Sequence, residues 1–296
     1  MMLTIPIFLS SDDNYAPFVA TTIASICENT NSFCDFYILD GGITKENQNK
    51  ICELKKQFKN FSIEFIKINE DDLRSIDYKN ECKYVSISTY NRFLIPLLKP
   101  EIDKAIYLDV DIIANGDIAE FYNKDIKGKY IGAIPDLCRN KEYLDNVKKN
   151  LNLPPDTKYF NAGVLLINCK KWRENNITQK LFEIEKKYRN RLRMADQDVL
   201  NICFNNEMYN EMYNEQEQNN NFILRHFSGS IKPWQGNFYI HAKDKKPYKT
   251  ANLNLFWKYA KKTLFYDEIL KRKEDFLNSN LLYRQFNKIV NQGGKK

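Results

Sequence analysis

The sequence predicts an α/β protein, a sheet flanked by helices in the Rossmann manner, with a small helical appendage at the C-terminal end. Three observations carry that expectation. Short apolar runs bounded by turn residues alternate with segments of helical spacing through most of the chain. The 296 residues are 43% apolar and include 19 Phe and 18 Tyr, enough side-chain volume for one large core. Finally, the chain changes character near residue 250, becoming basic, aromatic and helical, so we expect a main domain over residues 1–250 and an appendage over 251–296.

Leu3–Leu9 reads as the first strand; it has no basic leader and contains Pro6, which argues against a secretion signal. Asp12, Asp13 and Asn14 offer caps for a helix with Pro17 in its first turn and Val19, Ile23 and Ile26 on one face. Phe36–Leu39 is the second strand, Asp40-Gly41-Gly42 a turn, Thr44 the cap of a helix reaching about Phe58, and Ile63–Ile68 the third strand. Strands alternating with helices imply parallel neighbours. After a loop at Asp71–Tyr84, Ser88–Leu98 has helical spacing until Pro96 and Pro100 stop it, and Ala105–Leu108 is a strand running into acidic residues. Tyr130–Ile134, Ala162–Ile167 and Phe222–His226 read as strands, Ile177–Tyr188 and Gln197–Phe204 as helices. Asn205 to Asn221 holds a near-repeat of Asn-Glu-Met-Tyr within a polar tract and is expected as a mobile loop without a catalytic part.

The seven cysteines are scattered, odd in number and contain no Cys-x-x-Cys pair, which disfavours a disulfide framework and a thiolate zinc site and fits a reducing cytosol. No apolar stretch is long enough to span a bilayer. The formal charge of +7 is concentrated late, where Lys258, Lys261, Lys262, Lys271, Arg272, Lys273, Arg284 and Lys288 interleave with Phe256, Trp257, Tyr259, Phe265, Tyr266, Tyr283 and Phe286. Two readings fit that mixture: a surface lying on anionic lipid head groups, or a helical appendage with its aromatics in the core and its lysines in water. Nucleic acid is disfavoured against both.

Chemistry concentrates in three places. In Asp109-Val110-Asp111, the acids sit two apart where a strand ends, so a period-2 pleat points both to one side. Their repulsion is relieved by a divalent cation, whose remaining positions suit diphosphate oxygens. His226 again follows a strand, and with two aspartates it makes a mixed nitrogen and oxygen donor set that favours Mn²⁺ and tolerates Mg²⁺. Behind it, Gly229 admits close backbone approach to a phosphate and Lys232 neutralises a departing diphosphate. Ser10-Ser11-Asp12-Asp13-Asn14-Tyr15 lies at the first β-to-α loop, where short polar side chains bond a base or ribose and Tyr15 stacks on a pyrimidine, or where the acids simply cap a helix. No Gly-x-Gly-x-x-Gly or Walker loop occurs. These residues also suit a metal-dependent nucleotide-sugar hydrolase. A non-catalytic carbohydrate-binding protein explains the aromatics but not the Asp109, Asp111 and His226 set.

Taken in order, six segments resemble the family 8 glycosyltransferases, in particular the bacterial lipooligosaccharide α-galactosyltransferases within the wider glycogenin-like superfamily. They are Asp12-Asp13-Asn14-Tyr15, the run Val85 to Arg92, Tyr107–Asp111, Phe160-Asn161-Ala162-Gly163-Val164, Asp196-Gln197-Asp198 and His226–Trp234. The resemblance implies an A-type nucleotide-diphospho-sugar transferase fold with a mixed sheet, and a nucleotide-sugar-binding catalytic domain ahead of the appendage. It implies Asp109, Asp111 and His226 as Mn²⁺ ligands, and Ser10, Asp12, Asn14 and Tyr15 on the uridine side of a UDP-sugar. Val110, Gly229 and Lys232 fall among the remaining donor contacts. Arg92, Asn161, Asp196 and Gln197 match positions that hold the donor hexose, and Asp136 a position on the acceptor side. The implied reaction is retaining transfer of a hexose, galactose before glucose, to a saccharide or glycolipid acceptor of a surface glycan, with Gln197, Asp196 and Lys232 in catalytic positions. The implied setting is the cytoplasm, at the inner face of the membrane. The chain departs from those enzymes between Asp198 and His226, where the connection is shorter, so acceptor identity does not carry over.

Overall fold

The structure is a computed structural model describing residues 3–68, 87–136, 141–205, 207–209, 222–240 and 246–292. The expected Asp71–Tyr84 loop, the start of the Val85 to Arg92 run and residues 210–221 lie outside the described residues.

The chain opens with β1 (Thr4–Ser11), α1 (Ala16–Asn29), β2 (Phe33–Asp40), α2 (Lys45–Cys52) and β3 (Phe61–Lys67). Pro17 occupies the first turn of α1, and the Thr44 hydroxyl caps α2 by accepting from Asn47 N–H. That second helix is shorter than its sequence suggests, because Glu53–Lys56 tighten into a 3₁₀ turn. Ile87–Leu94 is likewise 3₁₀, followed by α3 (Ile95–Leu98). Pro96 therefore does not stop a helix; it sits in the first turn of one, where its missing N–H costs nothing.

Next come β4 (Lys104–Leu108), β5 (Ile112–Ala114), α4 (Ile118–Tyr122), β6 (Ile131–Pro135), α5 (Lys141–Leu151) and β7 (Phe160–Asn168). They are followed by α6 (Cys169–Glu174), α7 (Ile177–Tyr188), α8 (Asp196–Cys203), β8 (Met208–Tyr209) and β9 (Leu224–His226). The chain ends with β10 (Phe238–Ile240), β11 (Pro247–Lys249), α9 (Leu253–Ala260), α10 (Tyr266–Ser279) and α11 (Leu281–Gln292). Within the tract expected as a loop, Met208–Tyr209 instead pair with β6.

The main sheet runs β3-β2-β1-β4-β7-β6-β8. β3, β2, β1 and β4 are mutually parallel, as the alternation of strands and helices implies, but β7 is antiparallel to both β4 and β6. The sheet is thus mixed, with its parallel half first. Period-2 alternation sorts the strands' side chains into two cores. Ile106 and Leu108 join Ile5, Ile7 and α1 on one face; Ala105 and Tyr107 join Phe8, Leu165 and Trp172 on the other. Each fully buried Ile or Phe there contributes about 1.5–3 kcal/mol of transfer free energy. Phe256, Tyr259 and Phe265 of the basic C-terminal stretch are buried in the α1-side core, whereas Leu281, Leu282 and Ile289 are exposed. Among the described residues, no helix is long and apolar enough to cross a membrane.

Candidate active site

The site lies where β4 runs out. Asp109 N–H continues the β4–β7 ladder by donating to Gly163 O at 2.8 Å, after which the chain turns through Asp111 into β5. β5 pairs antiparallel with β9 so that Ile112 faces His226, and Phe227 N–H donates to Asp111 O at 3.0 Å. This small two-stranded sheet brings a histidine from late in the chain beside the aspartates. His226 Nε2 lies 3.1 Å from Asp111 Oδ1 and 3.9 Å from Asp109 Oδ2. One potential ligand atom from each of the three lies within 4.8 Å of the others.

The donor set fits a divalent cation, and the backbone beneath it is cut to allow the cluster. A Cβ on Gly163 would stand 2.5 Å from Asp109 Oδ2 and 2.5 Å from His226 Cε1, so only glycine lets the two ligands close over β7. Lys232 Nζ adds positive charge, 2.5 Å from Asp111 Oδ2 and 3.2 Å from Phe227 O. Burial works against charge on all three groups, yet mutual attraction prevails. Asp111 is held below the usual carboxylate range by Lys232 and His226, while Asp111 raises both partners.

Arg92 ties this cluster to a second one. Buried at 5% exposure, it approaches Asp109 Oδ1 (3.2 Å) through Nη2 and Asp196 Oδ2 (3.0 Å) through Nε, and its Nη1 donates to Ala162 O (2.5 Å). Its guanidinium sits 4.3 Å from the centre of the Tyr107 ring, whose hydroxyl donates to Asp109 Oδ1 at 2.9 Å. Thr89 Oγ1 donates to Asp196 Oδ1 at 2.5 Å. Burial pushes the Asp196 carboxyl up to about 6 despite Arg92. Its Oδ2 accepts no hydrogen bond among the described residues.

Gln197 is 6% exposed and tied at both ends: Oε1 accepts from Ala162 N–H at 3.1 Å, and Nε2 donates to Asp136 Oδ2 at 3.0 Å. Asn161 Oδ1 accepts from Gly163 N–H at 2.8 Å and so braces the glycine beneath the cluster.

At the end of β1, Asp12 caps the Asp13–Tyr15 turn by accepting from Tyr15 N–H. Asp13 turns toward the start of α2, its Oδ1 accepting from Thr44 N–H, Thr44 Oγ1 and Asn47 Nδ2. Ser10 Oγ donates to Ser88 O, and Val110 O accepts from the Thr22 hydroxyl on α1. Tyr15 is 37% exposed, edge-on to Trp234 at 6.1 Å between ring centroids, which puts the turn beside the His226–Trp234 segment. In that segment Gly229 has φ +128, a conformation suited to glycine, and a side chain there would meet open space.

The three sequence clusters thus converge, with Asp109, Asp111, His226, Lys232, Arg92 and Asp196 linked by direct contacts and the Asp12–Tyr15 turn alongside. Gly163, Tyr107 and Thr89 are contributors that residue-type reasoning passed over. All three lie within segments that carry the family resemblance, and Gly163 had a further signal, a glycine inside an otherwise large-residue strand.

Comparison with known proteins gives the family. The chain is 35% identical over 249 residues to a Haemophilus influenzae protein assigned to the glycosyltransferases, covering 78% of this chain and 73% of that one. It is 27% identical over 247 residues to a lipopolysaccharide 1,2-glucosyltransferase of Escherichia coli, covering 75% and 71%. Among solved structures, the galactosyltransferase LgtC in complex with donor and acceptor sugar analogs superposes with a TM-score of 0.72 at 24% identity, over 88% of this chain and 96% of that one, and shares the A-type fold. The family model for glycosyl transferase family 8 matches residues 6–237, from the first strand to just beyond Trp234 and across the whole Asp109, Asp111 and His226 cluster, and the chain belongs to that family.

Proposed function

We infer that this glycosyltransferase moves a hexose from a UDP-sugar to a saccharide acceptor with retention at the anomeric carbon, in the synthesis of a surface glycan. The observation that carries the reading is the convergence of Asp109, Asp111 and His226 with Lys232 on one side and the Arg92–Asp196 pair on the other. A divalent cation, Mn²⁺ by preference for this donor set, would be held by the two aspartates and the histidine and would supply positive charge against the diphosphate.

The chain's own residues account for the rest. Lys232 is placed to neutralise the departing diphosphate, and Gly229 leaves room for its oxygens against the backbone. The Asp12–Tyr15 turn suits the uridine, with Tyr15 presenting an exposed ring. The Arg92–Asp196 pair, lying beside the cluster, suits the donor hexose. Asp196 is committed to Arg92 and Thr89, and Gln197 to Ala162 and Asp136, which supports attack from the leaving-group face over a double displacement. In that step the acceptor oxygen bonds to the anomeric carbon, the bond from that carbon to phosphate breaks, and a phosphate oxygen takes the acceptor proton. Galactose is the favoured donor sugar and glucose the alternative.

The test is release of UDP from UDP-galactose and UDP-glucose with Mn²⁺ or EDTA, with and without saccharide acceptors. We expect release that needs metal, rises with acceptor and falls at least about a hundredfold in Asp111→Ala. Release indifferent to every acceptor would make the protein a hydrolase, and no release at all would overturn the reading.

A further inference from the structure

We propose that the last two helices are a working part of the donor site, positioning its two loops through separate polar contacts of Arg272 and Asn287. The proposal rests on the donor reading given above. From α10, Arg272 Nη1 donates to the Asn14 carbonyl at 2.5 Å, inside the turn assigned to uridine, while Glu268 steadies the same guanidinium at 2.6 Å. The guanidinium also lies 5.8 Å from the centre of the Phe18 ring, on which Trp234 is stacked at 3.5 Å between centroids.

The second hold is on the segment assigned to the diphosphate. Asn237, just past Trp234, donates its N–H to Asn287 Oδ1 of α11 at 2.9 Å and accepts from Lys273 Nζ of α10 at 2.6 Å. Ile231, next to Lys232, is buried against Val290 of α11, with Phe286 packed on the same cluster. One helical pair therefore grips both loops, each through its own polar contact. Such loops have few ladder bonds of their own, and a donor that must bridge them binds best when their spacing is fixed beforehand. Arg272 and Asn287 are positioning residues: neither needs to touch the donor, and each acts on one end of its site.

The separate polar contacts at the two ends give the experiment. Uridine probes the nucleoside end and Mn²⁺-pyrophosphate the other, each titrated by calorimetry against the full chain. Arg272→Ala should weaken uridine about tenfold and Mn²⁺-pyrophosphate by no more than about twofold, because the charge-assisted hydrogen bond is lost at the uridine end and the guanidinium reaches Trp234 only through Phe18. Arg272→Lys, which keeps a charged donor, should restore most of that loss. Asn287→Ala should do the converse, weakening Mn²⁺-pyrophosphate about fivefold and sparing uridine. In turnover, Arg272→Ala should raise the donor KM with kcat nearly kept. If both variants weaken both probes alike, the helices act only through general stability and the proposal fails. It fails equally if neither variant changes either probe. A wild-type protein that binds neither probe overturns the donor reading, and this one with it.

Discussion

Two Asp-x-Asp sequences occur in this site, Asp109-Val110-Asp111 after β4 and Asp196-Gln197-Asp198 opening α8, and the structure uses them in opposite ways. At the strand end the two acids converge, meeting His226, Lys232 and each other's field. On a helix, residues two apart face away from one another. Asp196 accordingly turns to Thr89 and Arg92, while Asp198, 0% exposed, accepts from Tyr159 Oη and from Arg193 and Met194 N–H. Those last two bonds clamp the chain where Ala195 adopts φ +47, a strained value for a residue with a Cβ. The first pair collects charge for a ligand; in the second pair Asp198 spends its carboxylate on holding Asp196 and Gln197 in place. Spacing in the sequence is the same, and the secondary structure beneath it decides the chemistry.

The sharpest way to break this contrast is Gly163→Ala. The added methyl group meets Asp109 Oδ2 and His226 Cε1, so the ligand side chains must part while the sheet beneath them stays paired. We expect Mn²⁺ affinity, read by electron paramagnetic resonance, and turnover both to fall about a hundredfold, with the thermal midpoint nearly unchanged. Full metal affinity in this variant would mean that the cluster is not the metal site.

Asp198→Asn probes the other pair. It removes the charge from three hydrogen bonds that hold the start of α8, and should lower stability by about 1.5–3 kcal/mol in urea unfolding while leaving Mn²⁺ affinity of the folded protein intact. Loss of metal binding without loss of stability would reverse the roles assigned to the two pairs.

Much of this was legible in the residues and some was not. The strand before Asp109, the helix Ile177–Tyr188 and the polar turn after β1 followed from periodicity and caps. Asp109 and Asp111 could be paired on paper because their separation is local. Their meeting with His226 was expected from residue type and resemblance, but the pairing of β5 with β9 that brings it about joins two three-residue strands more than a hundred positions apart, and no local pattern shows it. The antiparallel setting of β7 was hidden for a related reason: burial on both faces leaves Phe160–Asn168 with a nearly continuous apolar run that looks the same in either direction. Pro96 misled because proline ends a helix or begins one depending on what precedes it, here a run of 3₁₀ turns that spacing alone does not separate from α-helix.

The smallest effect comes from pH and reads Asp196 directly. In the folded chain its carboxyl titrates at about 6 against an ordinary 3.8, because burial outweighs Arg92. Between those values the folded form holds a proton that the unfolded form has already released, so this group's contribution to stability falls as pH rises. From about pH 5 to about pH 7 that loss amounts to about 1 kcal/mol. Asp196→Asn has no such proton, so the difference in urea-unfolding free energy between wild type and variant should shift by that amount over the window, in favour of the variant at the higher pH. A difference that stays flat would mean that Arg92 holds Asp196 ionised throughout.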